Sequence, residues 1–211
     1  MKKETKKYLR ERWKSEEFLS AFPISIDYKM NVELLNGLDF RGITKIRCGE
    51  PFWKFPSLYS SEFKNINFSF GNGSILISHS QVENLSFIDF KFDRSSDIRK
   101  SIIKNSTFLN AKLILDVTDT TFENCDFTNS KFSGGFRAYG FKRCKFINCN
   151  FSYAFWKNTY ILASWFIDCN FKEFKISNSS IGGFKVNILN EDVKAIFEDC
   201  KVEGMKEITK I

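Results

Sequence analysis

Between Phe141 and Val186 a large apolar residue stands at every fifth position: Phe141, Phe146, Phe151, Trp156, Ile161, Phe166, Phe171, Ile176, Ile181 and Val186. Two places before them the chain mostly sets a small residue, as at Cys144, Cys149, Ala154, Thr159, Ser164, Cys169 and Ser179. A helix repeats its apolar face about every 3.6 residues and a strand every second residue, so neither element explains this beat. A fixed repeat is one structural unit stacked on itself. With slips of register the beat also takes in Phe63 and Phe68, then Ile77, Val82, Phe87 and Phe92, then Ile98, Ile103, Phe108 and Leu113, then Phe122, Phe127 and Phe132, and finally Phe197 and Val202. Fourteen of the 25 Phe residues occupy these central positions, a concentration that ties the repeat to an aromatic interior.

The units read Cys125-Asp126-Phe127-Thr128-Asn129, Cys149-Asn150-Phe151-Ser152-Tyr153 and Cys169-Asn170-Phe171-Lys172-Glu173. This pattern of small, polar, central apolar and two mostly polar residues resembles the pentapeptide-repeat proteins, over roughly residues 61 to 203. The resemblance implies an all-β fold, a right-handed quadrilateral parallel β-helix in which four pentapeptides make one coil. Central side chains then point to the axis, and coils stack at about 4.8 Å. Twenty residues per coil would set Phe146 beneath Phe166 and Val186, Phe151 beneath Phe171, and Phe141 beneath Ile161 and Ile181. About seven coils are expected, with loops interrupting the beat at Asp93 to Asp97 and Asp116 to Thr121. Each coil of a solenoid touches only its neighbours, so the open ends need caps.

The expected organisation is an N-terminal helical and β capping segment over 1–60, the solenoid over 61–203 and a short tail over 204–211. Residues 2 to 22 read as helix, with a cap or a partner-binding arm as the two uses open to them. Ile24 to Tyr28 and Ile43 to Cys48 read as short β stretches, followed by the aromatic-proline run Pro51 to Pro56. The longest apolar run, Tyr160 to Ile167, is far too short to span a membrane, and charged residues follow Lys2 and Lys3 where a signal peptide would be apolar. The expectation is a cytoplasmic protein without membrane attachment.

Five of the six cysteines, Cys125, Cys144, Cys149, Cys169 and Cys200, fall in the small slot before a central residue and read as buried free thiols. Cys149 and Cys169 are twenty apart and would stack, which leaves a bridge or a metal open as the alternative. Cys48 lies outside the pattern.

The net charge is +7. Residues 61–203 hold 18 basic and 16 acidic residues, so the excess there is mild. The clusters Lys142, Arg143, Lys145 and Arg99, Lys100, Lys104 are interleaved with acids elsewhere, and nucleic-acid binding is not expected from them. Some pentapeptide-repeat proteins protect or inhibit type II topoisomerases with an acidic, DNA-like rod. A near-neutral rod cannot present that field, and topoisomerase binding stands second. The one histidine, His79, follows Ile77 by two and should face outward. No nucleophile elbow, phosphate loop or metal spacing is present, so no enzyme activity, cofactor or metal is expected.

Phe155, Tyr160 and Trp165 take the outward slot before a central residue, with Tyr153 and Leu162 beside them. Exposed apolar surface marks interaction sites, and Tyr and Trp are favoured in them. Cover by the N-terminal segment, a homodimer and a foreign protein are the three occupants open for this patch. The functional expectation is a non-catalytic scaffold that binds one cognate protein, as an immunity protein neutralises a toxin.

Overall fold

The chain turns a corner after most central apolar residues because the residue two places further on takes a left-handed backbone. This holds at Asn65, Asn84, Asn105, Asn124, Asn148 and sixteen other non-glycine positions, all with φ between 47° and 66°. The computed structural model describes residues 5–21, 35–44, 58–135, 140–181, 196–201 and 206–208. Ile24 to Tyr28, Lys45 to Cys48, the aromatic-proline run, Val186, Val202 and most of the tail lie outside the described residues.

The result is a four-sided parallel β-solenoid. The first side stacks Phe63, Val82, Ile103, Phe122, Phe146, Phe166 and Phe197 in register, six turns where about seven were expected. The second side is joined by single bridges, Asp39 to Asn67, Ser86, Thr107, Asp126, Asn150, Asn170 and Lys201. The fourth side runs Leu58, Ile77, Ile98, Val117, Phe141, Ile161 and Ile181. The third side carries Gly73, Phe92, Leu113, Phe132, Trp156 and Ile176. Phe146, Phe151 and Phe166 are fully buried, as are the other central residues from Phe63 to Phe171.

Behind the second side the phenylalanines form one continuous stack. Phe40, Phe68, Phe87, Phe108, Phe127, Phe151 and Phe171 follow one another at centroid spacings of 4.7 to 5.4 Å, with rings tilted by 18° or less. Such pairs add about 0.5–1.5 kcal/mol beyond the area they bury. Trp13 lies parallel to Phe40 at 6.1 Å and closes the stack.

That closure explains the N-terminal segment. In place of one helix over 2–22 there are two short ones, α1 (Lys6–Glu11) and α2 (Glu16–Ala21), separated by a tighter turn at Arg12–Lys14. The break lets Trp13 drop onto Phe40 and donate its indole N–H to the Arg41 carbonyl at 2.9 Å. Leu9 is buried against Gly42, where a Cβ would meet the Leu9 carbonyl oxygen at 2.3 Å, and Gly42 also holds a left-handed backbone with φ of 78°. Arg12 donates to the Asp39 and Arg41 carbonyl oxygens at 3.2 and 2.9 Å.

Two expectations need correction. Phe166 is followed in register by Phe197, not Val186. The segment Phe197-Glu198-Asp199-Cys200 repeats Phe166-Ile167-Asp168-Cys169, and Asp199 takes the left-handed corner. After Val186 that corner would fall on Ile188, whose β-branch disfavours it. Asp116 to Thr121 is not a loop: Asp116 to Thr118 ends the long strand Lys112–Thr118, which passes from third to fourth side without a left-handed residue, Asp119 is an ordinary corner, and Thr121 opens the next strand. The interruption instead follows Phe132, since the next fourth-side residue in register is Phe141. The Asp93 to Asp97 interruption is present as one extra residue, closed by Asp93 accepting from the Ser95 amide at 3.0 Å.

Candidate binding surfaces

Outward positions flank each central residue, so the four sides can be read as parallel columns. Trp165 stands on the first side, 42% exposed. It lies beside Lys145, while Ile147 and Ile167 pair in the other outward column of that side. Around the corner at Ala163, Tyr160 and Leu162 flank Ile161 on the fourth side and are half-buried. Leu162 and Trp165 therefore border the edge between fourth and first sides, with Tyr160 in the far column of the fourth side and Ile147 and Ile167 in the far column of the first. These two isoleucines lie one residue after a central Phe, a slot the repeat usually leaves polar, and that was the signal available for them.

Phe155 and Tyr153 sit elsewhere. Phe155 is half-buried on the third side, and Tyr153 is 54% exposed at the corner between second and third sides, diagonally across from the Trp165 edge. The five residues encircle one coil but divide into two separate surfaces. The described N-terminal helices pack at the far end of the stack, where Arg10 donates to the Phe70 carbonyl and Lys6 pairs with Asp89 at 2.8 Å. They leave both surfaces open.

The cysteines line two inner corners. Cys125, Cys149, Cys169 and Cys200 stack at the corner between first and second sides, each donating its thiol to the carbonyl oxygen of the central residue one coil earlier, as Cys149 does to Phe122 at 3.6 Å and Cys200 to Phe166 at 3.3 Å. All five described cysteines are free; Cys200, on the last coil, is only half-buried. Burial pushes the Cys144 thiol up to about 12 and raises Cys149. Cys169 is raised by its hydrogen bond with Cys149 and by burial.

His79 is exposed, as its place in the repeat required. Its Nδ1 lies 2.8 Å from the Ser78 hydroxyl and its ring packs near Tyr59. A groove of about 400 Å³ on the first side is lined by Glu62, Gln81, Glu83, Ile102 and Lys104, with Lys104 paired to Glu123 at 2.9 Å. Among the described residues no helix is long and apolar enough to cross a membrane, and no His, Cys, Asp and Glu group is arranged to hold a metal.

The third side holds what the charge count concealed. Its first outward column reads Lys91, Lys112, Lys131, Phe155 and Lys175, adjacent in register from coil to coil. All four lysines are exposed. Their signal in sequence is a Lys immediately before each of Phe92, Leu113, Phe132 and Ile176, at intervals near twenty.

Coils of four pentapeptide sides, with buried central residues and left-handed corners, define the class: a pentapeptide-repeat β-solenoid. No protein-family model and no curated protein matches the chain. Among solved structures it is similar to a trypsin-treated variant of QnrB1, a plasmid-mediated fluoroquinolone resistance protein, with 12% identity, a TM-score of 0.26 and coverage of 72% of this chain and 83% of that one. It is also similar to HetL, a pentapeptide repeat protein involved in heterocyst differentiation regulation from the cyanobacterium Nostoc sp., with 8% identity, a TM-score of 0.23 and coverage of 71% and 84%. At these scores the likeness carries no argument about activity.

Proposed function

We propose that the protein is a non-catalytic scaffold that binds one cognate protein, and that Tyr160, Leu162 and Trp165 mark its docking surface. The observation that carries this reading is the exposed Trp165 on the first side, with the half-buried pair Ile147 and Ile167 in that side's other outward column. An aromatic anchor on an exposed apolar patch is the usual centre of a protein interface. Neutralisation of the partner by stoichiometric occupation is the role that such a surface suits. The lysine column on the third side speaks against mimicry of DNA, because a mimic must present the phosphates' sign of charge.

Changing Tyr160, Leu162 and Trp165 together to Ser, Asn and Asn is expected to leave the thermal midpoint within a few degrees and to abolish capture of the partner. Sedimentation of the reconstituted pair should show saturation at one protomer per partner. Retention of binding by the triple variant would remove the edge from the reading. Protection of gyrase supercoiling from a quinolone at low micromolar protein would replace it with topoisomerase binding.

A further inference from the structure

We propose that the third side of the solenoid binds single-stranded nucleic acid, with the phosphates along the Lys91–Lys112–Lys131–Lys175 column and bases stacked on Tyr153 and Phe155. This surface is separate from the Trp165 edge and does not depend on the reading given to that edge.

Four observations carry it. First, the lysines form a straight line: from Lys91 to Lys175 there are four steps between coils, about 19 Å at the spacing of neighbouring strands. Like charges directly opposite each other on neighbouring strands are unfavourable, so the column opposes folding unless an anion lies along it. Second, several cations elsewhere are matched. Lys104 pairs with Glu123, Arg143 with Asp119 and Arg99 with Asp97, whereas Lys91, Lys112 and Lys131 face one another. Lys157 adds a further cation beside Trp156, and Asp93, at the other end, is engaged by the Ser95 hydroxyl at 2.6 Å.

Third, the one break in the column is aromatic. Phe155 takes the lysine slot in the coil where Tyr153 takes the corner. In the two preceding coils that corner is Asn110 and Asn129, the residue type its backbone favours, yet Tyr153 is held there at φ 60°. A basic track with aromatic platforms is how proteins hold an unpaired strand. Fourth, the track is one residue wide. The other flanking column of the third side reads Asp93, Ile114, Ser133, Lys157 and the buried Ser177. A bilayer or a broad acidic protein face would call for a basic area, and a duplex backbone curves away from a straight line. An extended single strand can follow it.

The test is fluorescence anisotropy of a labelled oligo(dT) 20-mer, beside the same-length duplex, poly-glutamate and phosphatidylserine vesicles. With about four phosphates neutralised, affinity should fall roughly 50-fold between 50 and 200 mM salt. Lys112, Lys131 and Lys175 changed together to Glu should abolish binding, and their change to Gln should weaken it at least tenfold. Control reversal of Lys7, Lys64 and Lys100 removes the same net charge from other surfaces and should leave most of the affinity. Tyr153→Asn restores the favoured corner residue, so it should keep the fold, checked by circular dichroism, while weakening the oligonucleotide about tenfold. Equal loss in the control variant, no binding by wild type at 10 µM, an unchanged affinity in the lysine variants or tighter binding of duplex, poly-glutamate or vesicles would each overturn the proposal.

Discussion

At the scale of the residue, the corners dictate the choice of side chain. The left-handed backbone costs an ordinary residue roughly 1–2 kcal/mol and is tolerated best by Gly, Asn and Asp. Nine of the positive-φ corners are Asn and four are Asp. The asparagines also bond to one another along one edge, Asn84 to Asn65 at 3.0 Å, Asn124 to Asn105 at 3.1 Å and Asn148 to Asn124 at 2.9 Å. Ala163 holds φ 47° without either advantage. Ala163→Asn should therefore raise stability by about 1 kcal/mol, read as a higher urea midpoint with an unchanged slope. The thiols form a second residue-scale test. In a Cys48→Ser background, Ellman titration of the native protein should find Cys200 reacting first, with Cys125, Cys144, Cys149 and Cys169 silent until denaturant is added. Burial raises Cys144, so its contribution to stability is full below pH 9 and fades as unfolded thiolates form above it.

At the scale of the element, the N-terminal helices work as a lid on the first coil, and one carboxylate holds them. Partial burial acts to raise the Asp39 carboxyl, but hydrogen bonds from Arg41 and Arg12 outweigh it and hold it at about 2. A depressed carboxylate stabilises the fold above its unfolded value near 3.8 and loses that contribution as pH falls towards 2. The Asp39 side chain is 40% exposed to solvent, so the contribution is about 1 kcal/mol after screening. The gap in thermal midpoint between wild type and Asp39→Asn should narrow as pH falls from 5 to 2. A constant gap would mean that the carboxylate's charge does not hold the lid. The sequence made a helix legible here through its mix of basic and apolar residues. It could not show the break at Arg12, because that break answers to Phe40, a tertiary partner 27 residues beyond Trp13.

At the scale of the whole molecule, stability is carried by neighbouring coils. Phe127→Ala should cost about 3–5 kcal/mol. Combined with Phe151→Ala, its stacking neighbour at 4.8 Å, the cost should depart from the sum, whereas combination with Phe68→Ala should be additive. Denaturant melts of the single and double variants measure both. The inward residues were legible because the period is local: Phe146, Phe151 and Phe166 reveal themselves within a short window. The outward columns were not, because residues that share a side lie some twenty positions apart. The net charge of the repeat averages a mixed first side, where Glu62, Glu83 and Glu123 stand with Lys64, Lys104 and Lys145, with the column Lys91, Lys112 and Lys131 on the third, and a near-zero total hides that one-sign column.

The coils differ in length, and most of the difference falls at one place. Between third and fourth sides the step is four residues from Gly73 to Ile77, six from Phe92 to Ile98, four from Leu113 to Val117 and nine from Phe132 to Phe141, while the other steps of those turns stay at five. That edge is a seam. A graftable epitope or a reporter peptide spliced there would shift no column on the other sides, so the scaffold carries a built-in insertion point for engineering.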